Sequence, residues 1–392
     1  MKVVFLAPGF QFPPRQGAAI RNLYWLEALA ARAKVWLITP NLNPEELARS
    51  ALPVRAVSGP APRRSVADRL VDLLAGRPDL AGRLWSPVLA AELYRVLHTE
   101  SPDLVHIGGL EMAPYLPVAR RGAPTARVVL DEYNAEYRLQ WSAFQAGILN
   151  PVGAVYSYIQ ARRLEKFEAR VLREVDLVWA VSEADRVALK QLAPEARIEL
   201  LPNSVDTDYY AFEPLGQREP AFVFIGTMAY RPNRDAVRRL VRRVLPEVRR
   251  AVPGAELWLV GRGTEALAGT PGIRAWGEVA DERPVLRRAA AMVVPVWMGG
   301  GTRFKVLVAL ALGLPVVATP LGVEGLGLKP DVEALVAPDE AGLAAGLIRL
   351  LRDRELAARI AVAGRRRVET CYDRRRVMAR AVDAYFGLVR PR

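Results

Sequence analysis

The feature that most constrains this chain is a series of short apolar runs, each separated from the next by a stretch with helical spacing, and the series occurs twice. Val3–Ala7, Val35–Ile38, Leu104–Ile107, Arg127–Leu130, Leu177–Val181 and Ile198–Leu201 form the first series. Phe222–Ile225, Glu256–Val260, Met292–Val296 and Pro315–Ala318 form the second. Short unbroken aliphatic runs are what strands buried on both faces require, and helices between them supply the covering layers. The stripe Leu23, Leu26, Ala30 and Ala33 shows the helical period of one such cover. The expected fold class is α/β, with two Rossmann-like, doubly wound parallel-sheet domains facing across a cleft that takes the ligand. We expect domains at 1–205 and 220–372, joined by a polar linker at 206–219 that carries Pro214 and Gly216.

Composition narrows the function classes. Among 392 residues a single cysteine and two histidines leave no disulfide framework and too few soft ligands for a built-in zinc site, so no metal is expected. The net charge of +13 favours phosphorylated ligands, anionic lipid or nucleic acid. The arginines are dispersed and no helix-turn-helix or RNP pattern occurs, so no nucleic-acid partner is expected. The opening apolar run is too short for a secretory signal, and no spanning helix is expected, which makes a cytoplasmic protein the default.

Several loops fall where an open α/β sheet places its ligands. The segment from Pro13 to Gly17 precedes a helix and reads either as an ordinary strand–helix turn or as an anion-binding helix start. Gly299-Gly300-Gly301-Thr302-Arg303-Phe304-Lys305 is stronger: three glycines leave the backbone open, Thr302 can cap the following helix, and Arg303 and Lys305 add positive charge. Such a segment suits a diphosphate. A later set, Gly322 to Gly327, has the order GxxGxG and so does not support a dinucleotide fingerprint, while its Glu324 could reach a ligand hydroxyl or solvent. His106 closes an apolar run before Gly108-Gly109, a position for ligand contact or for a structural hydrogen bond. Arg63-Arg64 with Val66, Leu70, Leu73 and Leu74, and the aromatic-rich stretch from Tyr137 to Arg173, read either as core packing or as surfaces for an anionic bilayer.

Taken in order, these loops resemble those of the GT-B glycosyltransferases, and among them glycosyltransferase family four. The likeness is carried by the loop ending at Gly17, Asp131-Glu-Tyr-Asn134-Ala-Glu136, Val181-Ser182-Glu-Ala-Asp185, Pro202-Asn203-Ser-Val-Asp206, Phe224-Ile-Gly226-Thr227-Met to Asn233, the Gly299–Lys305 segment, and Gly313-Leu-Pro-Val-Val-Ala-Thr319. Together they span almost the whole chain. The resemblance implies a retaining transferase that holds a nucleoside-diphosphate sugar in its C-terminal domain and an acceptor in its N-terminal domain. It also implies a closing helix, 373–392 here, that crosses back to the N-terminal domain.

The sequence departs from that family at the paired glutamates spaced E-x7-E, whose places fall on Gly300 and Val308. Valine accepts no hydrogen bond, so ribose recognition must be weaker or moved. Thr227 and Pro232 stand where the family often has an Arg and a Lys, with Arg231 close enough to supply charge, and Tyr133 stands where relatives often carry His.

The expected function is sugar transfer from a UDP-, GDP- or ADP-sugar to a hydroxyl of a sugar, glycan or lipid-linked acceptor, without a tightly bound cofactor, at a site that allows peripheral contact with an anionic membrane. This reading assigns catalysis to Arg303, Lys305, Glu136 and His106. It assigns donor binding to Gly226, Thr227, Arg231, Asn233, Gly299, Gly300, Gly301, Thr302, Glu324 and Gly325, and acceptor binding to Gly17, Tyr133 and Asn134. The alternatives are a degenerate GT-B scaffold, motivated by Val308, and a basic nucleic-acid binder.

Overall fold

The computed structural model describes residues 1–14, 17–62, 64–147, 151–214, 216, 218–298 and 303–389. Two compact units emerge: residues 1–202 with 375–389, and residues 203–298 with 303–374. Each is built on one parallel sheet between helical layers.

The first sheet contains β1 (Lys2–Leu6), β2 (Lys34–Pro40), β3 (Arg55–Gly59), β4 (Leu104–Gly108), β5 (Arg127–Glu132), β6 (Leu177–Ala180) and β7 (Ile198–Leu200), in the order β3-β2-β1-β4-β5-β6-β7. The second contains β8 (Glu219–Ile225), β9 (Glu256–Val260), β10 (Ile273–Gly277), β11 (Ala289–Val294), β12 (Val316–Ala318) and β13 (Leu335–Val336), in the order β10-β9-β8-β11-β12-β13. Strand order reverses beside β1 in one sheet and beside β8 in the other. The loops leaving the carboxyl ends of β1 and β4, and of β8 and β11, therefore diverge and leave room for a ligand.

The apolar runs become central strands because both of their faces are covered. In the first unit Val4, Leu6, Val105 and Ile107 face one core, and Val3, Phe5, Leu104 and Val129 face the other. The last helix, Arg374–Val389, adds Val377, Met378, Ala381, Val382 and Tyr385 to that second core. A buried ion pair locks the helix Gly17–Ala30 to β5: Arg21 donates from Nε and Nη2 to the Asp131 carboxylate at 2.7 and 2.6 Å. Trp25 Nε1 adds a third bond at 3.0 Å, so the carboxylate's desolvation is met on both oxygens.

Residues 206–213 of the segment expected as a linker pack onto the second unit, which begins at Asn203. Val205 and Tyr210 are part of its core, Arg365 donates to the carbonyls of Thr207 and Tyr210, and Tyr210 donates to Glu282 at 2.7 Å. The Phe212 ring lies so close to Gly313 that a Cβ there would stand 2.5 Å from it, and Gly313 also has φ +70°.

Candidate active site

In the second unit, β8 ends at Ile225 and Gly226 follows. A Cβ on Gly226 would fall 2.5 Å from the Asn233 side chain, which donates from Nδ2 to the Thr227 carbonyl at 2.9 Å. Asn233, assigned to the donor, is buried and its amide nitrogen holds this loop. Thr227 and Arg231 are exposed beside it.

The helix Phe304–Ala311 begins with Arg303 at its cap position and no side-chain cap bond from it; the capping role expected of Thr302 falls outside the described residues. Gly299, Gly300, Gly301 and Thr302 lie outside the described residues. Arg303 meets the Glu324 carboxylate at 3.2 Å, and Glu324 is the more exposed partner at 46 % against 10 %. The Lys305 ammonium donates to the Ile225 carbonyl at 2.8 Å and lies 4.6 Å from the centre of the Phe224 ring. Burial, with the Arg303 charge adding to it, pushes Lys305 down to about 8. Two cations thus gather where β8 ends and the helix begins. Glu324 follows a 3-10 turn at Leu321–Val323, and Gly325 after it takes φ +79°. Thr319 ties β11 to β12 by accepting from the Val296 and Gly322 amides. Val308, at the place of the family's second glutamate, is only 3 % exposed and forms part of the core.

In the first unit, the carboxyl ends of β4 and β5 carry an acidic group. Glu136 opens the helix Glu136–Gly147, accepts from Asn134 Nδ2 at 3.3 Å, and is pushed up to about 7 by burial and then by Glu111. Glu168, from the helix Pro151–Glu174, accepts the backbone N–H groups of Glu136 and Tyr137 at 3.1 and 2.9 Å and so anchors that helix start. Glu132 is buried with neither oxygen hydrogen-bonded among the described residues, and burial and the Glu168 charge raise it well above the usual carboxylate range. Asp185 accepts from the Ala135 amide at 3.1 Å. Glu111, Glu132 and Glu168 belong to this group although the sequence reading gave them no role. They come from separate elements, and only the pair Asp131-Glu132 closing an apolar run offered a signal.

Two assignments in this unit are corrected. His106 is fully buried inside β4, stacked on Phe5 at 4.0 Å, with Nδ1 2.7 Å from the Tyr385 hydroxyl. Burial lowers it to about 3, so the ring is neutral and structural instead of catalytic. Tyr133 is also buried, and its hydroxyl donates to Asn22 Oδ1 at 2.6 Å rather than to a ligand. Its ring lies over Gly109, where a Cβ would come within 2.8 Å. Gly17 is the first residue of its helix and half-buried, and Asn134 and Glu136 remain partly open.

Comparison with known proteins matches residues 15–209 to a family model described as Glycosyltransferase Family 4, and residues 219–353 to one described as Glycosyl transferases group 1. No curated protein sequence matches significantly. Among solved structures, Anabaena HepE in complex with UDP and glucose is 15 % identical with a TM-score of 0.68, covering 99 % of this chain and 100 % of its own. Sucrose-phosphate synthase from Thermosynechococcus elongatus is 17 % identical with a TM-score of 0.70, covering 99 % and 98 %. A TarM mutant from S. aureus in complex with α-GlcNAc-glycerol and UDP is 10 % identical with a TM-score of 0.69, covering 98 % and 99 %.

Proposed function

The chain is a GT-B-fold glycosyltransferase resembling family four, and from that premise we propose that it moves a sugar from a nucleoside-diphosphate sugar to an acceptor hydroxyl with retention of configuration. The observation that carries this reading is the pairing of Arg303 and Lys305 at the start of one helix, beside the carboxyl end of β8. Fixed cations there stabilise the charge that develops on a departing diphosphate without reorganising as the glycosidic bond breaks. A uridine donor is the first candidate, since HepE and TarM were both solved with UDP.

Ribose recognition cannot fall to Val308. We assign it to Glu324, the exposed carboxylate held by Arg303, which accepts hydrogen bonds from vicinal hydroxyls. The acceptor belongs to the first unit, where Asn134 and Glu136 are partly open and Glu136 is poised near neutrality to polarise a hydroxyl. Sugars, glycans and lipid-linked sugars all present such a hydroxyl.

Calorimetric titration with UDP, GDP and ADP, followed by a screen of the matching nucleotide sugars for hydrolysis or transfer, tests this reading. Binding of one diphosphate and turnover of its sugar are expected. Binding without turnover of any sugar would mark a regulatory nucleotide site on a degenerate scaffold.

A further inference from the structure

Elsewhere in the chain, carboxylates are met by arginine. Asp176 lies 3.1 and 2.9 Å from Arg120 and Arg127, Asp235 lies 2.9 Å from Arg239, and Glu340 lies 2.8 Å from the same guanidinium. Five carboxylates of the first unit depart from that pattern. Glu111, Glu132, Glu136, Glu168 and Asp185 gather at the carboxyl ends of β4 and β5, and among the described residues none of them is in an ion pair. The cation that offsets Glu111 and Glu136 is Arg83, whose Nε is already held by Asp79 at 3.2 Å. A net charge of +13 works against the approach of any cation, so a local excess of carboxylate is what admits one.

The partners of the five separate structural from unused groups. Glu168 accepts the amides of Glu136 and Tyr137, and Asp185 accepts the Ala135 amide and the Ser182 hydroxyl. Glu132 has no such use. It closes β5, is 1 % exposed, and has neither oxygen hydrogen-bonded among the described residues. Its electrostatic neighbours are Glu168, Glu136, Glu111 and Asp131, and the last of these is spent on Arg21 and Trp25. A buried carboxyl with acidic neighbours and no donor is costly unless a ligand supplies the donor. Glu111 and Glu136 are half-buried and open the group to solvent.

Burial, and then the neighbouring charges, hold Glu136 at about 7 and Glu132 well above the usual carboxylate range. These carboxyls keep their protons for want of a balancing cation. An ammonium supplies it: one positive charge and three donors, set against groups that only accept once ionised. Among the described residues no three acidic, histidine or cysteine side chains stand close enough to hold a metal ion, so the spacing suits an organic cation.

We propose that the acceptor carries an ammonium beside its reacting hydroxyl, as an amino sugar or an aminocyclitol does, and that Glu111, Glu132 and Glu136 recognise that charge. The proposal rests on the transferase reading and narrows its acceptor. Amine binding is measured without a donor, so its failure and the failure of UDP to bind are separate results.

The test is calorimetric titration of the full chain at pH 6 with glucosamine, glucose and N-acetylglucosamine, which present an ammonium, a hydroxyl and an acetamide at the same ring position. Glucosamine should bind about tenfold or more tightly than the other two. Its amine arrives protonated, so each proton displaced from the carboxyl group passes to the buffer, and the heat should follow the buffer's ionisation enthalpy. Glu111→Gln should weaken glucosamine binding about tenfold, with thermal melting at pH 6 and UDP titration as in the parent chain. Glu132→Gln, which keeps the side chain's shape, should lower both the affinity and the number of protons released. Equal affinity for glucose and glucosamine would show that the protonated carboxyls serve neutral hydroxyls, and would overturn the proposal. So would a folded chain that binds no glucosamine, binding without proton release, or variants that bind glucosamine as tightly as the parent.

Discussion

The Lys305 ammonium donates a 2.8 Å hydrogen bond to the carbonyl of Ile225, a residue 80 positions away, and so fixes the start of one helix against the end of β8. The same contact holds a buried cation beside Arg303, where a diphosphate would relieve the repulsion between them.

Lys305→Met keeps the aliphatic stem and removes the charge. A charge-assisted hydrogen bond is worth about 1.5–3 kcal/mol, so nucleoside diphosphate affinity should fall roughly ten- to hundredfold by calorimetry. Arg303→Ala should lose a similar amount. Both proteins should melt cooperatively near the parent temperature, since each change removes a cation from a low-dielectric place.

Lysine held at about 8 against its ordinary 10.5 makes the unfolded chain the stronger proton binder between those values. Stability should therefore rise with pH across that window, and Lys305→Met should remove this increment. Thermal melts at pH 8 and 10 read the sign. A bound diphosphate favours the charged lysine, so UDP binding at pH 8 to 9 should take up protons, seen as a buffer-dependent heat.

Glu136 is shifted in the opposite sense, from 4.5 to about 7. Its ionised form is costly in the fold, so the stability held by the protonated group declines as pH rises from about 4.5 through 7. The ionised carboxylate is nevertheless the form that accepts a hydroxyl proton or hydrogen bond, so kcat/KM should rise with pH through about 7. Glu136→Gln should abolish that rise and be more stable than the parent above pH 7. Glu111→Gln removes the like charge that raises Glu136 most and should move the midpoint to lower pH.

His106→Ala should act on stability, not on catalysis. It empties a site between Phe5 and Trp25 and removes the hydrogen-bond partner of the Tyr385 hydroxyl, costing about 2–4 kcal/mol. Denaturant unfolding should show the loss, while KM for donor stays unchanged in the folded fraction.

Much of the architecture was legible because central strands are buried on both faces and announce themselves as apolar runs. The strands that escaped the reading are β3 (Arg-Ala-Val-Ser-Gly), β10 (Ile-Arg-Ala-Trp-Gly) and the two-residue β13. All three lie at sheet edges; polar residues interrupt β3 and β10, and β13 is too short to stand out. In the site, Arg303 and Lys305 were visible because glycines next to a helix start have few other uses. His106 and Tyr133 were assigned to ligands because sequence places a residue at a strand end without saying which way its side chain turns. The Glu111, Glu132 and Glu168 group was invisible for a simpler reason: its members meet only after β4, β5 and two helices are assembled.

Val308 also separates sequence from structure. Read against its family position it invites a glutamate, yet the side chain is enclosed by the second unit's core. Val308→Glu should bury an unpaired carboxylate and cost about 3 kcal/mol or more, lowering the melting temperature and weakening nucleotide binding.

The most direct measurement of the central claim is a calorimetric titration of the parent chain and of Lys305→Met with UDP at pH 7.5, alongside turnover of UDP-sugars. The parent chain should bind saturably, the variant should lose about tenfold or more in affinity, and UDP should be released from at least one UDP-sugar. A folded parent chain that binds no nucleoside diphosphate, or a variant that binds as tightly as the parent, would contradict the claim.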